Sequence, residues 1–364
     1  MSSTSDKLLA LRAKIDATDK EILQLLKIRA ALAYEVGETK KQTEKNPVFY
    51  RPEREREVLE QLGNNPENPF KPEQTRAIFR EIMSACRALE ADTKVACLGP
   101  AGTFSEAAVY QQFGSSVQVF LAASIAEVFQ KVERGEAEYA VVPIENSTEG
   151  MVNLALDSLA MSNLHICAEV FLKVEQNLIS HCRQLAEIKK VYSHSQSLAQ
   201  CRKWLNENLA QAEVFPVSSN AEAVKMAACE QYAAAIAGKF AAEKYEIAIL
   251  AENIADRYDN TTRFVVISKQ KVFPCKENKN NKTSIIFSTE NVPGALMQIL
   301  QPIWNFGINM SKIESRPNPQ KLWEYLFFID LDGHQDNLEM QKLLAEIASK
   351  AKFFKILGSY PKGF

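Results

Sequence analysis

Thr262-Arg263-Phe264 places a hydroxyl beside a guanidinium at the mouth of an apolar run, Phe264-Val265-Val266-Ile267, just after a polar turn at 256–261. That pairing suits either plain scaffold or an anion site with a proton donor next to it. A second polar cluster, Glu145-Asn146-Ser147-Thr148, ends another apolar run at 139–144. Two such strand ends can converge on one cleft, because α/β sheets bind ligands at strand ends.

Other groups have the types for chemistry. Gly99-Pro100-Ala101-Gly102-Thr103 lacks the third glycine of a dinucleotide fingerprint, but its amides and the helix after it suit a carboxylate. His194 lies between Ser193 and Ser195, without the nucleophile elbow of a serine hydrolase. Arg29 and Lys40, eleven residues apart, share a helix face at about 16 Å; Arg12 lies about 100° off it, placed to serve a partner subunit. The alternative is a solvated cationic face. Near the C-terminus, Pro293-Gly294-Ala295-Leu296 opens a helix and Glu314-Ser315-Arg316-Pro317 ends a strand, either as a plain turn or as a clamp for the two charges of an amino acid.

The elements carrying these groups fall into three regions. Residues 5–91 read as helix, with Leu8, Leu11, Ile15, Ile22, Leu25, Leu26, Leu32 and Val36 at helical spacing. The first helix runs over 6–44, about 60 Å, followed by helices at 52–62, with Pro52 in the first turn, and 73–91. One long helix with two short ones is a poor core for a lone chain, which predicts an intertwined dimer. From Lys94 the pattern becomes βα, with strands at 95–98, 117–120, 139–144, 165–172, 190–193, 213–216, 233–236 and 264–268. Helices fit 124–134, 197–209 and 220–230, predicting a mainly parallel sheet. The charged stretch 276–282 reads as a linker. Beyond it come strands at 283–288, 308–316, 322–331 and 353–359 and helices at 292–305 and 337–350, a βαββαβ order.

Bulk properties narrow the classes. The chain has 364 residues, enough for two or three domains, and a formal net charge of -2, so no basic field points to nucleic acid or a membrane. The start lacks the apolar core of a signal peptide, and no apolar run reaches membrane-spanning length. Seven scattered cysteines without a Cys-x-x-Cys suggest reduced thiols in a cytoplasm, and the four histidines do not cluster for a metal.

Taken together and in order, Gly99-Pro100-Ala101-Gly102-Thr103-Phe104-Ser105, Glu145-Asn146-Ser147-Thr148, Ser193-His194-Ser195-Gln196, Thr262-Arg263-Phe264, Gly294-Ala295-Leu296 and Glu314-Ser315-Arg316-Pro317 resemble the bifunctional chorismate mutase/prephenate dehydratases of phenylalanine biosynthesis. The resemblance runs over essentially the whole chain. It implies an all-α intertwined dimeric mutase domain (1–92), a two-lobed, periplasmic-binding-like α/β dehydratase domain (93–275) and an α+β ferredoxin-like ACT regulatory domain (276–364). Chorismate and prephenate would be substrates and L-phenylalanine an allosteric effector, with no cofactor and no metal.

The resemblance also implies roles. Arg12 (from the other protomer), Arg29 and Arg54 would bind chorismate with Glu55 on its hydroxyl, while Lys40 and a protonated Glu90 face the ether oxygen. Thr262 would be the dehydratase acid and Arg263 would bind or orient a substrate carboxylate, with Thr103, Asn146, Ser147 and Gln196 as hydrogen-bonding contacts and Glu145 as a nearby electrostatic or structural partner. Gly294, Ala295, Leu296, Glu314, Ser315 and Arg316 would receive phenylalanine. In one departure, Tyr50 and Arg51 stand where some members carry a carboxylate. In another, Glu90 occupies a position often taken by glutamine. A preference for arogenate over prephenate, a purely binding protein, and a helical domain that only regulates are the rival readings.

Overall fold

The computed structural model describes residues 2–45, 47–257, 259–270, 272–274, 280–318, 321 and 324–363. It divides into two compact units. One holds the chain up to Arg51, then Glu57–Thr93 and Phe113–Gln118; the other holds Pro52–Arg56, Lys94–Gln112 and Val119–Phe364.

The first unit is built on helices α1 (Ser2–Thr43) and α3 (Pro72–Glu90) and on α2 (Pro52–Gly63) from Glu57 onward. Proline opens α2 and α3, where its missing N–H costs nothing. The Gln74 side chain accepts the Lys71 N–H at 3.1 Å, satisfying one of the free donors at the start of α3. Gly37 of α1 lets the helices close up, because a Cβ there would stand 3.0 Å from the Glu90 Cβ. Tyr50 is a core residue here. Its ring meets Phe113 at 4.6 Å, and the Arg87 guanidinium lies 5.2 Å from its centroid. Much of the apolar stripe of α1 stays exposed, with Leu25 at 66% and Ile15 at 59%.

In the second unit, β1 (Lys94–Leu98), α4 (Phe104–Phe113), β2 (Gln118–Ala122), α5 (Ile125–Glu133), β3 (Tyr139–Asn146), β4 (Gly150–Met151), α6 (Asn153–Met161) and β5 (His165–Lys173) begin a first lobe. The second lobe holds β6 (Asn177–Ser180), β7 (Lys190–His194), α7 (Ser195–Gln200), α8 (Arg202–Asn208), β8 (Glu213–Val217), α9 (Asn220–Cys229), β9 (Ala233–Ala237), α10 (Lys239–Lys244) and β10 (Ile249–Ala251). The chain then returns to the first lobe as β11 (Thr261–Ser268). Sheet orders are β2-β1-β3-β11-β5 and β10-β6-β9-β7-β8.

This corrects the expectation of a mainly parallel sheet. Strand β11 is antiparallel to both β3 and β5, and β6 is antiparallel to both β9 and β10. The chain crosses between lobes twice, so β11 enters the first sheet from the far side, and βα alternation cannot register that. The expected helix at 197–209 is broken at Cys201 into α7 and α8.

The last segment follows the expected order: β12 (Asn281–Ser288), α11 (Ala295–Asn305), β13 (Met310–Pro317), β14 (Tyr325–Asp332), α12 (Leu338–Lys350) and β15 (Phe353–Pro361), in an antiparallel sheet ordered β13-β14-β12-β15. Ile285, Phe287, Ile329 and Leu331 pack on α11 and α12, while Ile286, Leu326, Phe328 and Leu357 join the core of the first lobe. That period-2 split is what a sheet buried on both faces requires. A Cβ on Gly358 would stand 2.2 Å from the Ile166 carbonyl oxygen, so only glycine permits this approach of β15 to β5. The expected linker at 276–282 is corrected at its end, since Asn281 and Lys282 are buried residues of β12; 276–279, and the boundary at 275/276, lie outside the described residues. Of the strand expected at 322–331, Leu322 and Trp323 also lie outside them.

Candidate active site

Strands β3 and β11 pair so that Thr262 lies opposite Asn146, and Arg263 opposite Glu145. The Asn146 amide is fully committed. Its oxygen accepts the N–H groups of Thr148 (3.0 Å) and Glu149 (3.1 Å), and its nitrogen donates to Asn260 Oδ1 (2.8 Å) and Thr262 Oγ1 (2.9 Å). The two backbone donors fix which end of the amide is oxygen. Thr262 therefore accepts from Asn146, and its own proton is free to donate elsewhere. Ser147 steadies the approach to β11, accepting the Thr261 N–H at 3.0 Å and donating to the Asp259 carbonyl at 3.2 Å.

The network continues along the segments that join the lobes. Asn260 donates to Gln200 Oε1 (3.2 Å), and Gln176 donates to Gln200 Oε1 (3.3 Å) and Ser197 Oγ (3.0 Å). Asn220 also donates to Ser197, at 2.9 Å. Beside this chain of amides is a cavity of about 260 Å³ lined by Thr148, Ala199, Gln200, Asp256, Arg257 and Asn260. The groups bonded around Thr262 are thus polar and neutral, and the cavity edge carries the Asp256 carboxylate and the Arg257 guanidinium.

Arg263 is not in that network, which corrects its expected role as a carboxylate ligand. Successive strand residues face opposite sides of a sheet, and Arg263 is turned to the other side. It is 5% exposed and donates to Glu169 Oε2 (2.8 Å), Asp330 Oδ2 (2.7 Å) and the Tyr360 hydroxyl (3.0 Å). Lys282 adds a second cation on Glu169, at 2.8 Å. Burial holds the Tyr360 hydroxyl well above its ordinary pKa, so it stays neutral in this cluster of two cations and two carboxylates. Glu145 is an electrostatic partner of the C-terminal sheet, its carboxylate paired with Lys312 of β13.

Thr103 has its hydroxyl committed to its own turn, and Gln196 stands at the start of α7. Thr103 Oγ1 donates to the Leu98 carbonyl at 3.0 Å and accepts the Glu106 N–H at 3.4 Å, which fixes the turn entering α4. The Gln196 N–H donates to His194 Nδ1 at 3.4 Å in the first turn of α7.

In the helical unit, Lys40 Nζ stands 3.6 Å from Glu90 Oε2, with side chains 19% and 12% exposed, and 5.5 Å from the Phe49 ring centre. Glu90 Oε2 is buried without a hydrogen-bond partner among the described residues. Burial raises the Glu90 pKa, against the lowering pull of Lys40, Arg87 and Arg29. Arg12 is exposed, 28 residues before Lys40 and so about 42 Å away along α1. Arg54 (exposed) and Glu55 (half-buried) stand in the first turn of α2.

In the C-terminal segment, Gly294, Ala295 and Leu296 line a cavity of about 250 Å³ with Val292, Glu324 and Phe327. Ser315 lies across from Phe327 in the β13–β14 pairing. Glu314 and Arg316 belong to the opposite face of β13, and Arg316 pairs with Asp157 of α6 at 2.7 Å. Alternation thus sets the charges of Glu314 and Arg316 on one face of β13 and Ser315 on the other.

Residues 95–272 match the prephenate dehydratase family and residues 11–91 match chorismate mutase type II. The chain is 45% identical over 361 residues to the bifunctional chorismate mutase/prephenate dehydratase of Pseudomonas aeruginosa, covering 98% of each. The chain belongs to the bifunctional chorismate mutase/prephenate dehydratase family. The enzyme of the same name from Aquifex aeolicus is 43% identical, again over 98% of each chain. Among solved structures, a prephenate dehydratase from Arthrobacter aurescens in complex with L-Phe is 35% identical with a TM-score of 0.68, covering 74% of this chain and 90% of that one.

Within this family frame, sequence reasoning missed Gln176, Gln200, Asn220, Arg257 and Asn260. Gln200 had a usable signal, since it follows Gln196 by four residues on one helix face. Asn260 and Gln176 lie in connections between lobes, where no periodicity marks them.

Proposed function

We propose that the chain rearranges chorismate to prephenate in its helical unit and converts prephenate to phenylpyruvate in the two-lobed unit, under feedback by L-phenylalanine. The observation that carries the dehydratase reading is the one-way hydrogen bond from Asn146 to Thr262, which leaves the Thr262 proton available. In the reaction the ring carboxylate leaves as carbon dioxide. The electron pair of the broken C–C bond makes the ring aromatic, and the C–O bond breaks as the departing hydroxyl takes a proton. Thr262 gives that proton in concert with departure, because a threonine is too weak an acid to ionise first. Two crossings between lobes, as in periplasmic binding proteins, let substrate be enclosed at the strand ends.

For the mutase step, Lys40 and a protonated Glu90 both donate toward the ether oxygen as the C–O bond lengthens. Arg29 lies on the same stretch of α1. Arg12 is too far along α1 to reach Lys40 in its own chain, and the exposed stripe of α1 needs covering; both support a dimer in which Arg12 crosses to the partner. The βαββαβ segment with its 250 Å³ cavity supports an ACT-type regulatory domain that takes L-phenylalanine, as the Arthrobacter enzyme does. Three domains at 1–92, 93–275 and 276–364 follow from this reading. Cys86, Cys97, Cys167, Cys182, Cys201 and Cys229 are free thiols, which supports a cytoplasmic setting. The test is to supply chorismate alone and follow prephenate and phenylpyruvate, with and without L-phenylalanine. Phenylpyruvate formation suppressed by phenylalanine supports the reading; untouched chorismate with consumption of added prephenate removes the mutase assignment.

A further inference from the structure

Prephenate carries two carboxylates, and only one of them is lost. A cation bound to the departing carboxylate would stabilise the ground state and slow decarboxylation, so binding energy is better placed on the retained pyruvyl carboxylate. The residues around Thr262 supply no charge for it, because Asn146, Asn260 and Gln200 are neutral. Arg263, Lys282 and Lys312 are each engaged with carboxylates of the protein.

Arg257 is the one basic residue lining the 260 Å³ cavity beside that network. It is exposed, and it makes no ion pair or hydrogen bond with any described residue. The adjacent carboxylate does not neutralise it. Asp256 accepts the N–H groups of Lys203 (3.1 Å) and Trp204 (3.3 Å) at the start of α8. The backbone on either side is held: the Asp256 N–H donates to the Gln200 carbonyl at 2.7 Å, and the Asn260 carbonyl accepts the Val174 N–H at 2.8 Å. A guanidinium on an anchored segment at the cavity edge suits bidentate capture of a carboxylate.

We propose that Arg257, and not Arg263, receives the pyruvyl carboxylate of prephenate. This rests on the dehydratase reading above. The test uses the full chain with Arg257→Met and Arg257→Lys, measuring kcat and KM for prephenate, calorimetric binding of phenylpyruvate, and mutase turnover as a control for folding. Arg257→Met should raise KM and weaken phenylpyruvate binding by roughly 10- to 100-fold, as expected for a lost charged hydrogen bond. Its kcat should change far less, and Arg257→Lys should recover part of the loss. Unchanged KM and unchanged phenylpyruvate binding, or a fall in kcat alone, overturns the assignment of Arg257. An unaltered chain that consumes no prephenate is a separate result and overturns the dehydratase reading together with it.

Discussion

Thr262 and Arg263 are consecutive in β11 and serve opposite faces of its sheet, one in the amide network at the strand ends and the other in a buried ionic cluster. The register with β3 repeats the division, because Asn146 bonds Thr262 while Glu145 pairs with Lys312. Two strands thus present one residue each to the site and one each to the C-terminal sheet.

Removing Arg263 should therefore cost stability before it costs substrate affinity. Arg263→Met leaves Glu169 and Asp330 buried with Lys282 as their remaining cation, and breaking such a cluster costs about 3–5 kcal/mol. Denaturant unfolding should show a lowered midpoint, while KM for prephenate in the folded fraction stays near that of the parent. A raised KM without lost stability would return Arg263 to the substrate site.

Glu90 should make mutase turnover depend on pH. Its pKa is raised by burial, so the neutral donor persists above the ordinary carboxylate range and is lost as pH rises through the raised value. Folding stability moves with the same sign. The folded state holds a proton that the unfolded state has released, so stability falls between the unfolded and folded pKa values and is then level. Glu90→Gln should remove this descending limb from the mutase profile; an unaltered profile would exclude Glu90 as the titrating donor.

The C-terminal cavity should be the phenylalanine site, filled from α11. Ala295→Leu adds bulk on the cavity wall and should raise the half-inhibiting L-phenylalanine concentration by about tenfold, or about 1.4 kcal/mol, without lowering basal turnover. Unaltered sensitivity would place phenylalanine elsewhere.

Order and type of most elements were legible in the sequence, because period 3.6 and period 2 are local. The helices at 52–62 and 73–91 match α2 and α3 within a residue at each end, since proline marks each start. The antiparallel entry of β11 was not legible, because it depends on which lobe the chain returns from. Thr262, Asn146 and Ser147 were found through their polar types at the ends of apolar runs, and the fold brings them together. Arg263 was misread although strand alternation already separates it from Thr262. Its partners Glu169 and Asp330 are 94 and 67 residues away, and no local pattern names them. Lys282 was read as linker for the same reason: a lysine looks solvated until its buried carboxylate is known.

The most direct test of the account is the rate of prephenate conversion by Thr262→Val and Thr262→Ser, with mutase turnover measured on the same preparations. Valine keeps the shape and removes the proton, so dehydratase kcat should fall by about 10²–10⁴ while mutase turnover is unchanged, and serine should restore much of the rate. A valine variant that still converts prephenate at close to the parental rate would contradict the assignment of Thr262 as the acid.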